Sequence, residues 1–325
     1  MPDNTWFTPY ILPNKDCLSI AASQGVAYRL SEHHVLKMPY QYPVKDVESF
    51  DLDEAIEQLE LSQGSIDSFN DERAFYRLLE TTGQHPDIVK VDHSTLEHGI
   101  VLEYLQPLEI AWVASTETSR LRWIKQLLRA TAKIEELGYT HGDLAVRNMG
   151  VDKNNDLKLF DFGSVHQLGD EYSHRFIEKD LSRLADCIHF LLSGKDPLAD
   201  IPDRKTLRQV QAALENGTFA IDTLARPVED ILRSCWAKNL AVFGNVSQSM
   251  IFSHVGQVIG QALDVKDDSV ATHEVLLGQP PERPVGEPDF TSLAFDANQY
   301  DLTRDPRWMA EEEYREAWRR MGVTV

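Results

Sequence analysis

Residues 141–163 constrain this chain more than any other stretch. They read His141-Gly142-Asp143-Leu144-Ala145-Val146-Arg147-Asn148, then MGVDKNNDLKLF, then Asp161-Phe162-Gly163. The middle segment reads as a β-hairpin turning at Asn154-Asn155. A hairpin of that length returns Asp161 close to Asn148. One carboxylate and one amide then face a common space, with Asp143 nearby as a second carboxylate. Hard oxygen ligands of this kind suit magnesium, which keeps several waters and takes only one or two protein carboxylates. Phosphoryl transfer needs little more: a cation on the nucleotide phosphates and a base beside the attacking hydroxyl.

The flanking sequence predicts a frame for such a centre. Residues 17–38 alternate apolar and polar positions around short turns, as strands do. Residues 39–68 are acidic and read as a solvated insertion with a short amphipathic helix near 53–62. NDERAFYRLLE at 70–80 places Phe75, Leu78 and Leu79 on one helical stripe. HPDIVKV at 85–91 turns into a strand, and GIVLEYL at 99–105 is a buried-strand pattern. Residues 117–136 form the clearest amphipathic helix. DLSRLADCIHFLLSG at 180–194 is apolar nearly all round, as a core helix should be. Helical patterns follow at 204–215, 227–238 and 247–263. From 264 the chain turns acidic and proline-rich, with a terminal helix expected at 305–321. Strands with one helix, then a mostly helical half, predict an α+β fold of two lobes with a ligand cleft between them.

Charge narrows the function classes. The formal net charge is −20, which disfavours nucleic acid and anionic membranes as partners. A nucleotide site in such a chain must concentrate its few cations locally. Cys17, Cys187 and Cys235 are far apart and form no CxxC pair, so neither a disulfide framework nor a zinc site is expected. The N-terminus lacks a signal-peptide pattern, and no apolar run is long enough to span a bilayer. The expected location is intracellular, cytoplasmic or nuclear.

With these motifs the chain resembles the protein kinase superfamily, as a divergent, atypical member with a short activation segment. The resemblance covers roughly 18–263 and is strongest over 139–163. HxDLxxxN followed by DFG across a hairpin carries it. It implies a bilobal protein-kinase-like fold, with a small β-rich N-lobe at about 18–105 and a mainly helical C-lobe at about 106–263. Residues 1–17 are then an extension and 264–325 a tail. By the same resemblance Asp143 is the catalytic base, and Asn148 and Asp161 are the Mg2+ ligands. Lys37, in VLK, matches the lysine that holds the ATP phosphates. Glu72 matches the glutamate that orients that lysine. Leu102 matches the residue at the back of the adenine pocket, and Glu103 and Leu105 would offer backbone groups to adenine. Arg147, four residues after the base, would reach the γ-phosphate, as an alternative to a structural ion pair.

The departures from the family are equally specific. Gly25 fits the last glycine of the phosphate loop, but Ile20 and Ala22 stand where the first two are expected. Gly142 replaces the arginine that precedes the base, which implies activity independent of activation-segment phosphorylation. Ala145 replaces the usual lysine. Gly150 replaces the apolar residue under the adenine ring. Few residues separate Asp161 from the core helix at Asp180, and no APE lies among them, so a conventional peptide groove is not expected. Three functions fit: transfer of the γ-phosphate of ATP to a protein Ser/Thr, transfer to a small hydroxylated molecule (HGDLxxxN also occurs in aminoglycoside and choline phosphotransferase relatives), or a nucleotide-binding pseudokinase acting as an interaction module.

Overall fold

The computed structural model describes residues 16–21, 25–42, 52–96, 99–169, 171–238, 250–263 and 309–320. The chain divides into two compact units. One comprises residues up to 83, residues 90–104 and the chain from 288. The other comprises 84–89 and 105–287. The fold class is α+β of the protein-kinase-like type, with a small antiparallel sheet near the N-terminus and a mostly helical remainder.

The first unit is built on a four-stranded antiparallel sheet of β1 (Cys17–Ala21), β2 (Gly25–Arg29), β3 (His34–Met38) and β4 (Ile100–Glu103), in that order. The two-residue period of β3 buries His34, Leu36 and Met38 on one face. Lys37 therefore sits on the other face. Helix α1 (Leu52–Thr82) packs with this sheet. It buries Ile66, Phe69, Phe75, Tyr76 and Leu79. At 3.6 residues per turn these positions spread over about half of the helix surface, so α1 is buried on more than one side.

This helix corrects the expectation for 39–68. The predicted solvated insertion and the separate helix at 70–80 are one continuous element from Leu52 onward. Ser62 and Ser65 are fully buried in it. Their hydroxyls accept the backbone N–H groups of Tyr42 and Tyr40 at 2.8 and 3.1 Å. Among the described residues the segment after β3 has no strand partner, and buried N–H groups must be satisfied. The two buried serines supply that satisfaction, and tertiary packing overrides their weak helix propensity. Residues 43–51 lie outside the described residues.

The expected terminal helix is present as Glu311–Arg320. Tyr314 is buried and donates its hydroxyl to the Tyr42 carbonyl at 3.1 Å. Gln41 exchanges two hydrogen bonds with the backbone of Met309, at 2.8 and 3.1 Å. The chain end thus packs against the same 40–42 segment that the α1 serines hold. The rest of the proline-rich tail, 264–308, lies outside the described residues.

The second unit continues with β5 (Gln106–Pro107), α2 (Leu108–Val113), α3 (Glu117–Glu136), β6 (Tyr139–Thr140), β7 (Met149–Val151), β8 (Leu157–Leu159) and β9 (His166–Gln167). Then come α4 (Ser173–Ser193), α5 (Arg204–Glu215), α6 (Glu229–Trp236) and α7 (Ile251–Ala262). β5, β7 and β8 form one small sheet, and β6 pairs with β9. The core is the meeting of α3, through Trp123, Leu127 and Ile134, with α4, through Leu181, Leu184, Ile188 and Leu191. Thr116 caps the start of α3 by accepting the Ser119 N–H at 3.1 Å. Near its other end Glu135 accepts the Phe252 and Ser253 N–H groups, so a buried carboxylate caps the start of α7. Helix α4 begins earlier than the predicted 180, at Ser173. Its first turns are more polar, and the core-helix pattern picked up only the buried part. Among the described residues no helix is long and apolar enough to cross a membrane.

Candidate active site

In the first unit the site residues lie on β3 and α1. Lys37 points from the half-buried face of β3, and its Nζ donates to Glu72 Oε2 at 2.5 Å. Glu72 is fully buried on α1. Its other oxygen accepts the Tyr76 hydroxyl at 3.2 Å. A carboxylate removed from water in this way needs such partners, because breaking a buried pair costs roughly 3–5 kcal/mol. The two residues matched by the family resemblance are therefore an ion pair. Gly25 opens β2 opposite Ala21, and residues 22–24 of the phosphate-loop stretch lie outside the described residues. Glu103 ends β4, where its N–H donates to the Lys90 carbonyl at 3.0 Å and its side chain accepts the Lys90 N–H at 2.8 Å. Any adenine contact from Glu103 thus falls to its carbonyl.

In the second unit the sequence around 141–163 forms the expected hairpin. β7 and β8 pair through Met149↔Leu159 and Val151↔Leu157. The turn contains Asn155 in the left-handed region at φ 61°, a conformation asparagine tolerates well. Trp123 Nε1 donates to the Asn155 carbonyl at 3.0 Å and ties this turn to α3. At the open end the Phe160 N–H donates to the Asn148 carbonyl at 3.0 Å, which brings Asp161 next to Asn148 as the hairpin length requires. The HPDIV segment braces the same strand. The Val89 N–H donates to the Leu159 carbonyl at 3.0 Å, and Asp87 takes a bidentate pair from Arg129 at 2.7 and 3.0 Å.

Asp143 is held by its own loop. Arg147 Nη2 donates to both carboxylate oxygens, at 2.8 and 2.7 Å. Asn148 Nδ2 donates to the Asp143 carbonyl at 2.7 Å and to Oδ2 at 3.1 Å. Two amide hydrogens committed to Asp143 direct the buried Asn148 amide oxygen away from it. Asp161 has φ 66°, an uncommon backbone for a residue with a side chain. Phe162 is fully buried against the His141 ring, with centroids 5.1 Å apart. His141 Nε2 lies 3.1 Å from the Phe160 carbonyl. These contacts give His141 a packing and hydrogen-bonding place rather than an acid–base one.

Two glycine departures have a steric cause. At Gly142 φ is +76°, and a Cβ would stand 1.8 Å from the Ser164 carbonyl oxygen. No arginine fits that backbone. At Gly150, on β7, a Cβ would stand 2.6 Å from Leu105 Cβ and 3.1 Å from the Gln106 carbonyl oxygen. Gly150 was expected to weaken an apolar floor. Instead Leu105 packs where its side chain would be, and the β5–β7 pairing of Pro107 with Gly150 depends on that closeness.

One pair of site-supporting residues escaped the sequence reading. Asp180, fully buried on α4, accepts the Gly142 N–H at 2.9 Å. Burial pushes its carboxyl above the usual carboxylate range, opposed by His141, Gly142 and Lys179. Lys179 donates to the Gly142 carbonyl. The available signal was an aspartate at the head of the apolar run DLSRLADCIHFLL, where a buried carboxylate needs a reason. Among the described residues no cluster of three or more His, Cys, Asp or Glu could hold a metal.

Residues 44–190 match the family model of the RIO domain. Over these residues the chain is similar to the RIO domain. RIO kinases are atypical protein kinases, and the domain implies an ATP-binding phosphotransferase. The matched span is somewhat under half of the chain. It contains Glu72, Glu103, Leu105, Asp143, Arg147, Asn148 and Asp161. Gly25 and Lys37 precede it, so Lys37 is linked to the RIO-type domain through its ion pair with Glu72. No curated protein matches the chain.

Proposed function

We propose that the chain transfers the γ-phosphate of ATP to a serine or threonine hydroxyl of a protein, with Asp143 as the base. The observation that carries this reading is the arrangement at the mouth of the β7–β8 hairpin. There Asp143 is oriented by Arg147 and Asn148, and the Phe160–Asn148 backbone bond brings Asp161 alongside. The donor set fits Mg2+, since the Asn148 amide and the Asp161 carboxylate are hard oxygen ligands. When bound, Mg2+-ATP supplies the transferable phosphoryl group and neutralises its charge. Lys37, fixed by Glu72, holds phosphate oxygens. Asn148 and Asp161 hold the cation. Asp143 accepts the proton of the attacking hydroxyl, and Arg147 orients it. Glu103 and Leu105 present backbone groups to adenine, and Gly25 gives the phosphate loop its one close approach.

The reading is tested by incubating the full chain with Mg2+-ATP and generic protein substrates, with Asp143→Asn as the control. Transfer to Ser or Thr that disappears in the variant supports it. A small hydroxylated acceptor is the second reading, favoured by the short run of residues 164–172 between Gly163 and α4. Turnover stimulated only by such a molecule would replace the first reading with it. Nucleotide binding without any turnover would make the chain a pseudokinase.

A further inference from the structure

Helix α4 begins only a few residues after the Asp161-Phe162-Gly163 turn. That span is too short to build a peptide platform over the helix. Beside α4 lies a groove of about 450 Å³, lined by Arg175, Glu178, Lys179 and Arg183 of α4, Glu215 of α5, and Lys238. Residues 175, 179 and 183 repeat every four positions and form one cationic stripe along the helix. Four cations and two carboxylates therefore line a groove in a chain whose net charge is −20. Glu215 is already engaged by Lys238 at 2.5 Å, and Arg183 leans on Asp186 at 3.3 Å. Arg175 is exposed and lies over the Tyr172 ring at 5.6 Å.

The stripe is tied to the catalytic loop. Lys179 donates to the carbonyl of Gly142, the residue before Asp143. A polypeptide with its hydroxyl at Asp143 would have its flanking residues within reach of this stripe. Guanidinium groups bind carboxylate and phosphate through paired hydrogen bonds, and a local excess of cations attracts such groups despite an acidic surround. We propose that this groove receives acidic side chains of the polypeptide substrate, carboxylate or phosphate, next to the acceptor hydroxyl. The proposal rests on the reading of Asp143 as the base.

Labelled peptides of one length, each with a central serine flanked by glutamate, by phosphoserine or by glutamine, distinguish the outcomes. Binding to the full chain is followed by fluorescence anisotropy without nucleotide, and phosphate transfer is measured separately. At low salt the acidic peptides should bind ~tenfold more tightly than the glutamine peptide, with the preference shrinking as salt rises. Arg175→Glu should weaken acidic-peptide binding by ~fivefold or more. Arg320→Glu, an equal charge change on the C-terminal helix, should leave it unchanged. A preference for phosphoserine over glutamate would identify phosphate as the natural group. The converse would identify carboxylate. Equal binding of all three peptides, or an Arg175→Glu protein that binds acidic peptide as the wild type does, would overturn the proposal. Acidic peptide bound through Arg175 but never phosphorylated would keep the groove and remove the kinase reading. Phosphorylation without acidic preference would do the reverse.

Discussion

Arg147 donates one guanidinium nitrogen to both carboxylate oxygens of Asp143, at 2.8 and 2.7 Å. The pair spans four residues of one loop and is largely open to solvent on the arginine side. Such pairs contribute little to stability, about 0–1 kcal/mol. The contact therefore matters for where Asp143 points more than for whether the domain folds. Arg147→Ala should lower the melting temperature by no more than about 2–3 °C. It should lower kcat by ~tenfold through loss of orientation. A melting-temperature loss comparable to that of a core substitution would show the pair to be structural instead.

The Lys37–Glu72 pair has the opposite balance. Glu72 is fully buried, and Lys37 nearly so. Lys37→Met should cost about 3 kcal/mol of stability by stranding the carboxylate. Adding Glu72→Gln should recover most of that loss, since the buried charge is gone. Neither variant should recover activity, with kcat/KM for ATP down ~10²-fold in both. Denaturant unfolding and steady-state kinetics on the single and double variants separate the two effects. A double variant as active as the wild type would remove Lys37 from the phosphate site.

Gly142 tests a steric statement. The position cannot take a side chain without displacing Ser164, whose carbonyl oxygen would lie 1.8 Å from a Cβ. Gly142→Arg, which restores the residue usual in the family, should destabilise the protein by ~2 kcal/mol or more and abolish transfer. Stability and activity at the wild-type level in this variant would contradict the geometry.

How much of this was legible beforehand depended on the length scale of the interaction. The hairpin, its turn at Asn155 and the proximity of Asp161 to Asn148 follow from local periodicity and chain reach. Lys37 and Glu72 were legible only through a family pattern, because 35 residues separate the partners. The joined helix α1 was not legible. Ser62 and Ser65 lie in the stretch read as a solvated insertion, and the N–H groups they accept are 20 and 25 residues away in sequence. Gly142 read as a missing regulatory arginine, and Gly150 as a gap under the adenine ring. Only the neighbouring backbone and side chains, Ser164 in one case and Leu105 in the other, show that a side chain has no room.

Buried Asp186 sets a pH dependence. It accepts the Trp236 indole N–H at 2.8 Å, and burial raises its pKa to about 7. A carboxyl raised in the folded state favours folding when protonated. Its contribution is complete below the unfolded value near 4 and is lost as pH rises toward 7. Asp186→Asn keeps the acceptor and removes the charge. Between pH 4 and 7 the wild type should lose stability relative to this variant, by an amount on the order of a few kcal/mol. Parallel stability–pH curves for the two proteins would show that Asp186 is ionised in the fold throughout. His189, lowered by burial, works in the other direction and is common to both proteins.

Tyr314 connects the chain end to the first unit. Replacing this buried ring by alanine should cost about 3–4 kcal/mol, whereas Tyr314→Phe should lose only the hydrogen bonds of the hydroxyl, that to the Tyr42 carbonyl among them, about 1 kcal/mol. Equal losses in the two variants, measured by urea unfolding, would mean that the hydroxyl rather than the ring holds the helix.

The central claim is that Asp143 and its metal-binding neighbours form a working phosphotransfer centre. Transfer of labelled γ-phosphate from Mg2+-ATP to protein serine or threonine, by the full chain and by Asp143→Asn, tests it most directly. The account predicts a signal in the wild type that falls by ~10³-fold in the variant, with both proteins equally folded. Equal signal from the two proteins, or none from either, would contradict it.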